Sequence, residues 1–244
     1  MNGIGKPRRG APALETHAEG GGFARSHFGG VIDPSVHLLP KRTRNVWRDL
    51  ARILSTIFNP FLCALALFVI LSSQTARSTV EFWKLLFLST TFTSLLPMLY
   101  VFWLYASDRI SDLDMSQRRE RESVLSAFTL AYALGLIVLW AAHAPMLMRA
   151  ALAGYAVSGA IIQVITRYWK ISTHALAISA ALTVVVFLDG SSPLPFLVLI
   201  PMVGWARVYL RAHTLAQVIG GSVLGIASVT VLFDLFHIPN ALLH

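Results

Sequence analysis

Three short stretches place ionisable residues beside apolar sequence. "ARVYLRAHTLAQVIGG" (206–221) holds Arg207, Arg211 and His213, with Gln217 four residues beyond the histidine. "RYWKISTHA" (167–175) holds Lys170, Ser172 and His174, and "SDRISDLDMSQRRERES" (107–123) holds Asp112, Asp114, Arg118 and Arg121. Such a set suits phosphate chemistry. Planar guanidinium forks match the oxygens of a phosphate group and stabilise charge as a phosphoryl group transfers. Two histidines divide the remaining work: one attacks phosphorus and the other protonates the departing oxygen. His213 and Gln217 fall on one helical face, so the glutamine oxygen can accept a proton from the ring and fix its tautomer.

The elements that must carry these residues are membrane helices. The chain is 55% hydrophobic and 13% charged, with a mean hydropathy of +0.64, which excludes an ordinary soluble domain. Apolar runs predict an all-α, polytopic bundle with spans near 54–73, 82–105, 124–142, 147–168, 172–188, 194–206 and 214–236. Seven spans is the first reading. Six is the alternative, because Pro193, Pro195 and Pro201 crowd the sixth and shorten or kink it. Residues 1–45, rich in Gly, Pro and Arg, read as a disordered basic tail ahead of a membrane domain over 46–244.

With seven spans, the tail and the three polar stretches share one side. Of the 20 Lys and Arg residues, only Arg77, Lys84 and Arg149 fall on the other. The positive-inside rule makes the basic side cytoplasmic and the protein an integral component of a cell inner membrane. The net charge of +8 is spread over the ends of apolar runs, and no groove-reading motif accompanies it, so nucleic acid is not an expected partner. The single cysteine, Cys63, excludes an internal disulfide and the usual cysteine-based zinc patterns.

These residues resemble the type 2 phosphatidic acid phosphatase superfamily, whose motifs are Lys-x6-Arg-Pro, Pro-Ser-Gly-His and Ser-Arg-x5-His-x3-Asp. The third matches as Ala206-Arg207, five residues, His213, three residues, Gln217; the second reads Ile171-Ser172-Thr173-His174. The first is degraded, and only an arginine is carried over, Arg121 first and Arg118 next. The resemblance implies that His213 is the nucleophile, His174 the general acid and Arg207 a phosphate ligand. Ser172 joins the phosphate-binding set, and no metal or other cofactor is implied; Lys170, outside the motifs, is a further phosphate-binding candidate that also reads as a snorkelling cation. It further implies a lipid phosphate substrate such as phosphatidic acid, phosphatidylglycerophosphate or a polyprenyl diphosphate, hydrolysed through a phosphohistidine. Gln217 stands where the family has aspartate; an amide orients the ring without offsetting an imidazolium charge.

Other readings stand beside this one. Asp112 and Asp114 invite magnesium, as in membrane prenyltransferases, but no second acidic cluster shares their side, and pairing with nearby arginines is the expected role. Arg211 has no counterpart in the motif and reads as a cation snorkelling at a helix end. Ser172 is also placed to cap a helix, which leaves backbone N–H groups for an anion. A non-catalytic relative that only binds lipid phosphate is the remaining alternative, favoured by Gln217 and the broken first motif.

Overall fold

The computed structural model describes residues 45–111 and 117–241, without the side chain of Arg118. The basic tail, Asp112 and Asp114 lie outside the described residues. All regular structure among the described residues is helical: α1 (Val46–Ile57), α2 (Pro60–Thr75), α3 (Thr79–Thr90), α4 (Leu96–Ala106), α5 (Arg118–Ala141), α6 (Met146–Thr166), α7 (Thr173–Asp189), α8 (Leu199–Tyr209) and α9 (Leu215–Leu235).

Local chemistry sets the boundaries. The Asn59 side chain accepts from the N–H groups of Phe61 and Leu62 at 2.9 Å, and Pro60 occupies the first position of α2. That asparagine-proline pair ends α1, which meets α2 at a 49° bend. A π-helical turn at Thr91–Leu95 joins α3 to α4. Pro97 follows it and has no N–H to continue an α-helical ladder, so one long helical segment, Thr79–Ala106, carries a bulge in its middle. The proline-rich stretch before α8 folds as a 3-10 helix, Leu194–Val198, and leaves α8 only 11 residues long.

Four helical segments among the described residues are long and apolar enough to cross a membrane: 79–106, 119–141, 146–166 and 215–235. The bent pair α1–α2 makes a fifth if it is one span, and α7 and Leu194–Tyr209 are shorter apolar helices. Each of the seven apolar runs therefore has a helical counterpart, but by length and composition four or five qualify as spans. Large apolar side chains such as Phe87, Ile137, Val164 and Val231 are exposed, which fits a membrane protein.

Two packing features position the polar stretches. Phe68, Leu71, Leu139, Met148, Leu152, Val184 and Phe233 form a core that α7 enters through Val184, about three turns beyond its N-terminus. α9 then lies close against α7, because its contact stripe is glycine. A Cβ on Gly221 would collide with the Ser172 carbonyl oxygen, and one on Gly225 would lie 2.6 Å from the Leu176 carbonyl oxygen. This Gly-x3-Gly spacing is the small-residue device of packed membrane helices. It brings the first turns of α7 and α9 within hydrogen-bonding distance, with the Ser172 N–H donating to the Gln217 carbonyl at 3.1 Å.

Candidate active site

The site forms where α8 ends and α7 and α9 begin. Arg207 sits in the last turn of α8 and is buried, 5% exposed. Its Nη1 donates to the Ser55 hydroxyl of α1 at 2.7 Å, a short charge-assisted bond. α8 closes through Arg211 in the left-handed region at φ 56°. The N–H groups of Ala212 and His213 then return to the Arg207 carbonyl at 3.1 and 3.3 Å. This turn fixes His213 one step beyond Arg207 and leaves the Arg211 side chain exposed.

His213 is held by a helix cap. Thr214 is the N-cap of α9, and its hydroxyl accepts from the Gln217 N–H at 3.3 Å. In return Gln217 Oε1 accepts from the Thr214 N–H at 3.1 Å, completing a capping box. The same Oε1 lies 3.2 Å from His213 Nδ1. A backbone N–H can only donate, so the amide atom facing Thr214 is the oxygen. Nδ1, facing that oxygen, is the donor, so in the neutral ring Nε2 is the nitrogen with the lone pair. Gln217 thus has two tasks: it starts α9 and sets the tautomer of His213.

The other residues are placed by neighbouring turns. Ser172 is fully buried and caps α7, its hydroxyl accepting from the Ala175 N–H at 3.3 Å. Lys170 Nζ donates to the Ala212 carbonyl at 3.1 Å and so ties the 167–172 segment to the turn that carries His213. His174 is the second residue of α7, near the positive end of that helix's dipole.

A cavity of about 580 Å³ opens beside these turns. His174 and Arg207 line its polar mouth, together with Arg52, Ser55, Thr56, Asn59 and Thr173. Its interior is apolar, running past Phe128, Tyr132 and Tyr155 to Val184, Leu232 and Phe233. From Thr173 to Val184 along α7 is about 16 Å at 1.5 Å per residue, more than half the thickness of a bilayer's hydrocarbon core. The Ser228 hydroxyl, 8% exposed on that wall, makes no hydrogen bond.

Of the residues singled out by sequence, the structure brings Arg207 and His174 to one cavity. It joins Lys170, Ser172, His213 and Gln217 around the adjoining turns by hydrogen bonds, although none of those four lines the cavity. Arg121, in the first turn of α5, is not among the lining residues either. Sequence reading passed over Ser55 and Arg52, absorbing them into the start of a span and a basic flank. Among the described residues, no three His, Cys, Asp or Glu side chains are grouped so as to hold a metal ion.

Residues 163–239 match the family model of the PAP2 superfamily. The matched stretch contains α7, α8 and α9 with the turns that carry Lys170, Ser172, His174, Arg207, His213 and Gln217. It is consistent with a PAP2-superfamily member and supports a phosphatase reaction on phosphate esters. No curated protein and no solved structure matches the chain.

Proposed function

With the PAP2-superfamily match of residues 163–239 as premise, we propose that this protein is a membrane-embedded phosphatase that hydrolyses a lipid-linked phosphate or diphosphate. The observation that carries this reading is the shape of the cavity: a mouth with Arg207 and His174, and an apolar interior that a hydrocarbon chain can fill. Each buried methylene contributes about 0.8 kcal/mol, so a lipid tail would hold the substrate while the cationic mouth takes the phosphate. Phosphatidic acid, phosphatidylglycerophosphate and polyprenyl diphosphates all have this two-part form. Taking α1–α2 and α3–α4 as bent spans, and α7 and Leu194–Tyr209 as short ones, gives seven crossings. With that count, the charge pattern favours a site at the cytoplasmic face of an inner membrane.

The hydrogen bonds around His213 support a phosphohistidine route. Gln217 Oε1 holds the proton on Nδ1, so Nε2 of His213 attacks phosphorus with its lone pair. The N–P bond forms as the P–O bond to the lipid breaks, and His174 gives its proton to the departing oxygen. Arg207 holds the phosphate oxygens through transfer, and the sequence motifs offer Arg121 or Arg118 as candidates for a second cation. Water then attacks phosphorus, losing a proton to His174 as the N–P bond breaks, which frees phosphate and restores both histidines. Lys170 and Ser172 support this site by fixing the turns that form it.

The test is phosphate release by detergent-purified protein from a panel of lipid phosphates and diphosphates, with and without EDTA. The proposal expects release that survives EDTA and disappears in His213→Ala. Release that requires magnesium would point instead to chemistry at Asp112 and Asp114. Silence on every substrate would favour a non-catalytic protein that binds lipid phosphate, the reading that Gln217 in place of aspartate supports.

A further inference from the structure

Sequence motifs leave the second cation of the phosphate site open between Arg121 and Arg118, and Arg121 does not line the cavity. The mouth is completed from another element. Arg52, Ser55 and Thr56 of α1, followed by Asn59, recur at i, i+3, i+4 and i+7, a single polar stripe, and all four line the cavity. The two other faces of α1 have different partners. Val46, Leu50, Ile53 and Ile57 are exposed, while Ala51 and Leu54 are buried against Ala206 of α8. Trp47 meets Trp205 edge-on at 6.2 Å and the Tyr209 hydroxyl donates to Asn45 Oδ1 at 3.3 Å, so α1 is fastened to the helix that carries Arg207.

The electrostatics of the mouth favour an anion. Among the described lining residues, Arg52 and Arg207 carry formal charge and none is acidic. Arg52 approaches Asp49 only at 3.9 Å, with about half of each side chain exposed. A pair of that kind contributes little and leaves the guanidinium able to turn to a better partner. Arg207, by contrast, is held in place by Ser55, one turn along the same stripe.

We propose that Arg52 is the second guanidinium of the phosphate site, binding the oxygens of a phosphate monoester or of the terminal phosphate of a diphosphate across the mouth from Arg207. On this assignment α1 supplies the cation that the degraded first motif no longer provides, and Ser55 and Arg52 act together, one positioning Arg207 and the other binding the anion. The role in turnover rests on the phosphatase reading; the anion contact does not.

The test uses full-length protein in detergent with inorganic phosphate as probe, read by thermal protection and by inhibition of turnover. Arg52→Ala should weaken phosphate binding at least tenfold and Arg52→Lys less, since an ammonium keeps the charge but loses the fork. Arg48→Ala removes the same charge from the same helix outside the lining, and should change binding by less than twofold. An Arg52→Ala protein indistinguishable from Arg48→Ala would overturn the assignment while leaving the phosphatase reading intact. Wild-type protein that turns over no lipid phosphate, yet loses phosphate protection in Arg52→Ala, would uphold the anion site and remove the phosphatase reading. Wild-type protein that phosphate fails to protect or inhibit would overturn the assignment outright.

Discussion

Ser55 was not a candidate on sequence grounds, and its replacement probes the site without touching a reacting group. Ser55→Ala removes the hydroxyl that accepts from Arg207 Nη1 at 2.7 Å, with both residues buried. A hydrogen bond to a charged group contributes about 1.5–3 kcal/mol, and leaving a buried donor without its acceptor costs a similar amount. That energy divides between folding and catalysis. It leaves catalysis to the extent that Arg207 drifts in the free protein and must be re-fixed as phosphoryl charge develops. At about 1.4 kcal/mol per decade, full transfer to the barrier is a loss of roughly 10- to 100-fold in kcat/KM. The assay is phosphate release from a lipid phosphate, alongside thermal unfolding in the same detergent. Ser55→Thr, which keeps the hydroxyl, should retain most of the activity. A folded Ser55→Ala protein with kcat/KM within twofold of wild type would refute the view that α1 positions Arg207.

Gln217→Ala removes both halves of that residue's work. Unfolding measurements should show a loss of about 1 kcal/mol from the broken capping box, and turnover should fall at least a hundredfold as the His213 tautomer is released. Gln217→Glu keeps an oxygen within reach of Nδ1 and should match or exceed wild-type turnover, a total loss counting against the assigned geometry. Arg211→Gly should leave phosphate release unchanged and raise thermal stability by up to about 1 kcal/mol, because glycine adopts φ 56° without a Cβ penalty. A series of alkyl phosphates should gain about fourfold in kcat/KM per added methylene, from about 0.8 kcal/mol each, until the cavity is full. A flat series would remove the cavity from substrate binding.

Much of the helical content was legible because long apolar runs, capping residues and prolines act locally. The seven runs, the break before α8 and the cap at Ser172 follow from such signals. The bulge at Thr91–Leu95 was not legible, since Pro97 alone does not say whether a helix bends, bulges or stops. α1 was hidden by its charge: Arg44, Arg48 and Arg52 make the stretch resemble a membrane flank, although polar residues at 52, 55, 56 and 59 repeat with a helical period. At the site, the i, i+4 spacing of His213 and Gln217 is visible in sequence. That Gln217 also completes a capping box with Thr214 is equally local and was available from the Thr-x-x-Gln pattern. The meeting of Ser55 with Arg207 is different in kind. The two are 152 residues apart and are joined by the packing of α1 on α8, which no local signal records. The glycines of α9 lie between these extremes: their spacing is visible, but their partner, the Ser172 backbone, is not.

The central claim is that His213 is the nucleophile, and trapping its phosphorylated form tests this most directly. In His174→Ala protein, a labelled aryl phosphate whose leaving group needs no protonation should still transfer its phosphoryl group. The group that activates water for the second step would then be missing, so the intermediate should persist. The mechanism predicts base-stable, acid-labile label on the peptide containing His213, at up to one phosphoryl group per protein, and none in the His174→Ala, His213→Ala double variant. A burst of aryl alcohol with label on another residue, or with no label on the protein, would contradict it.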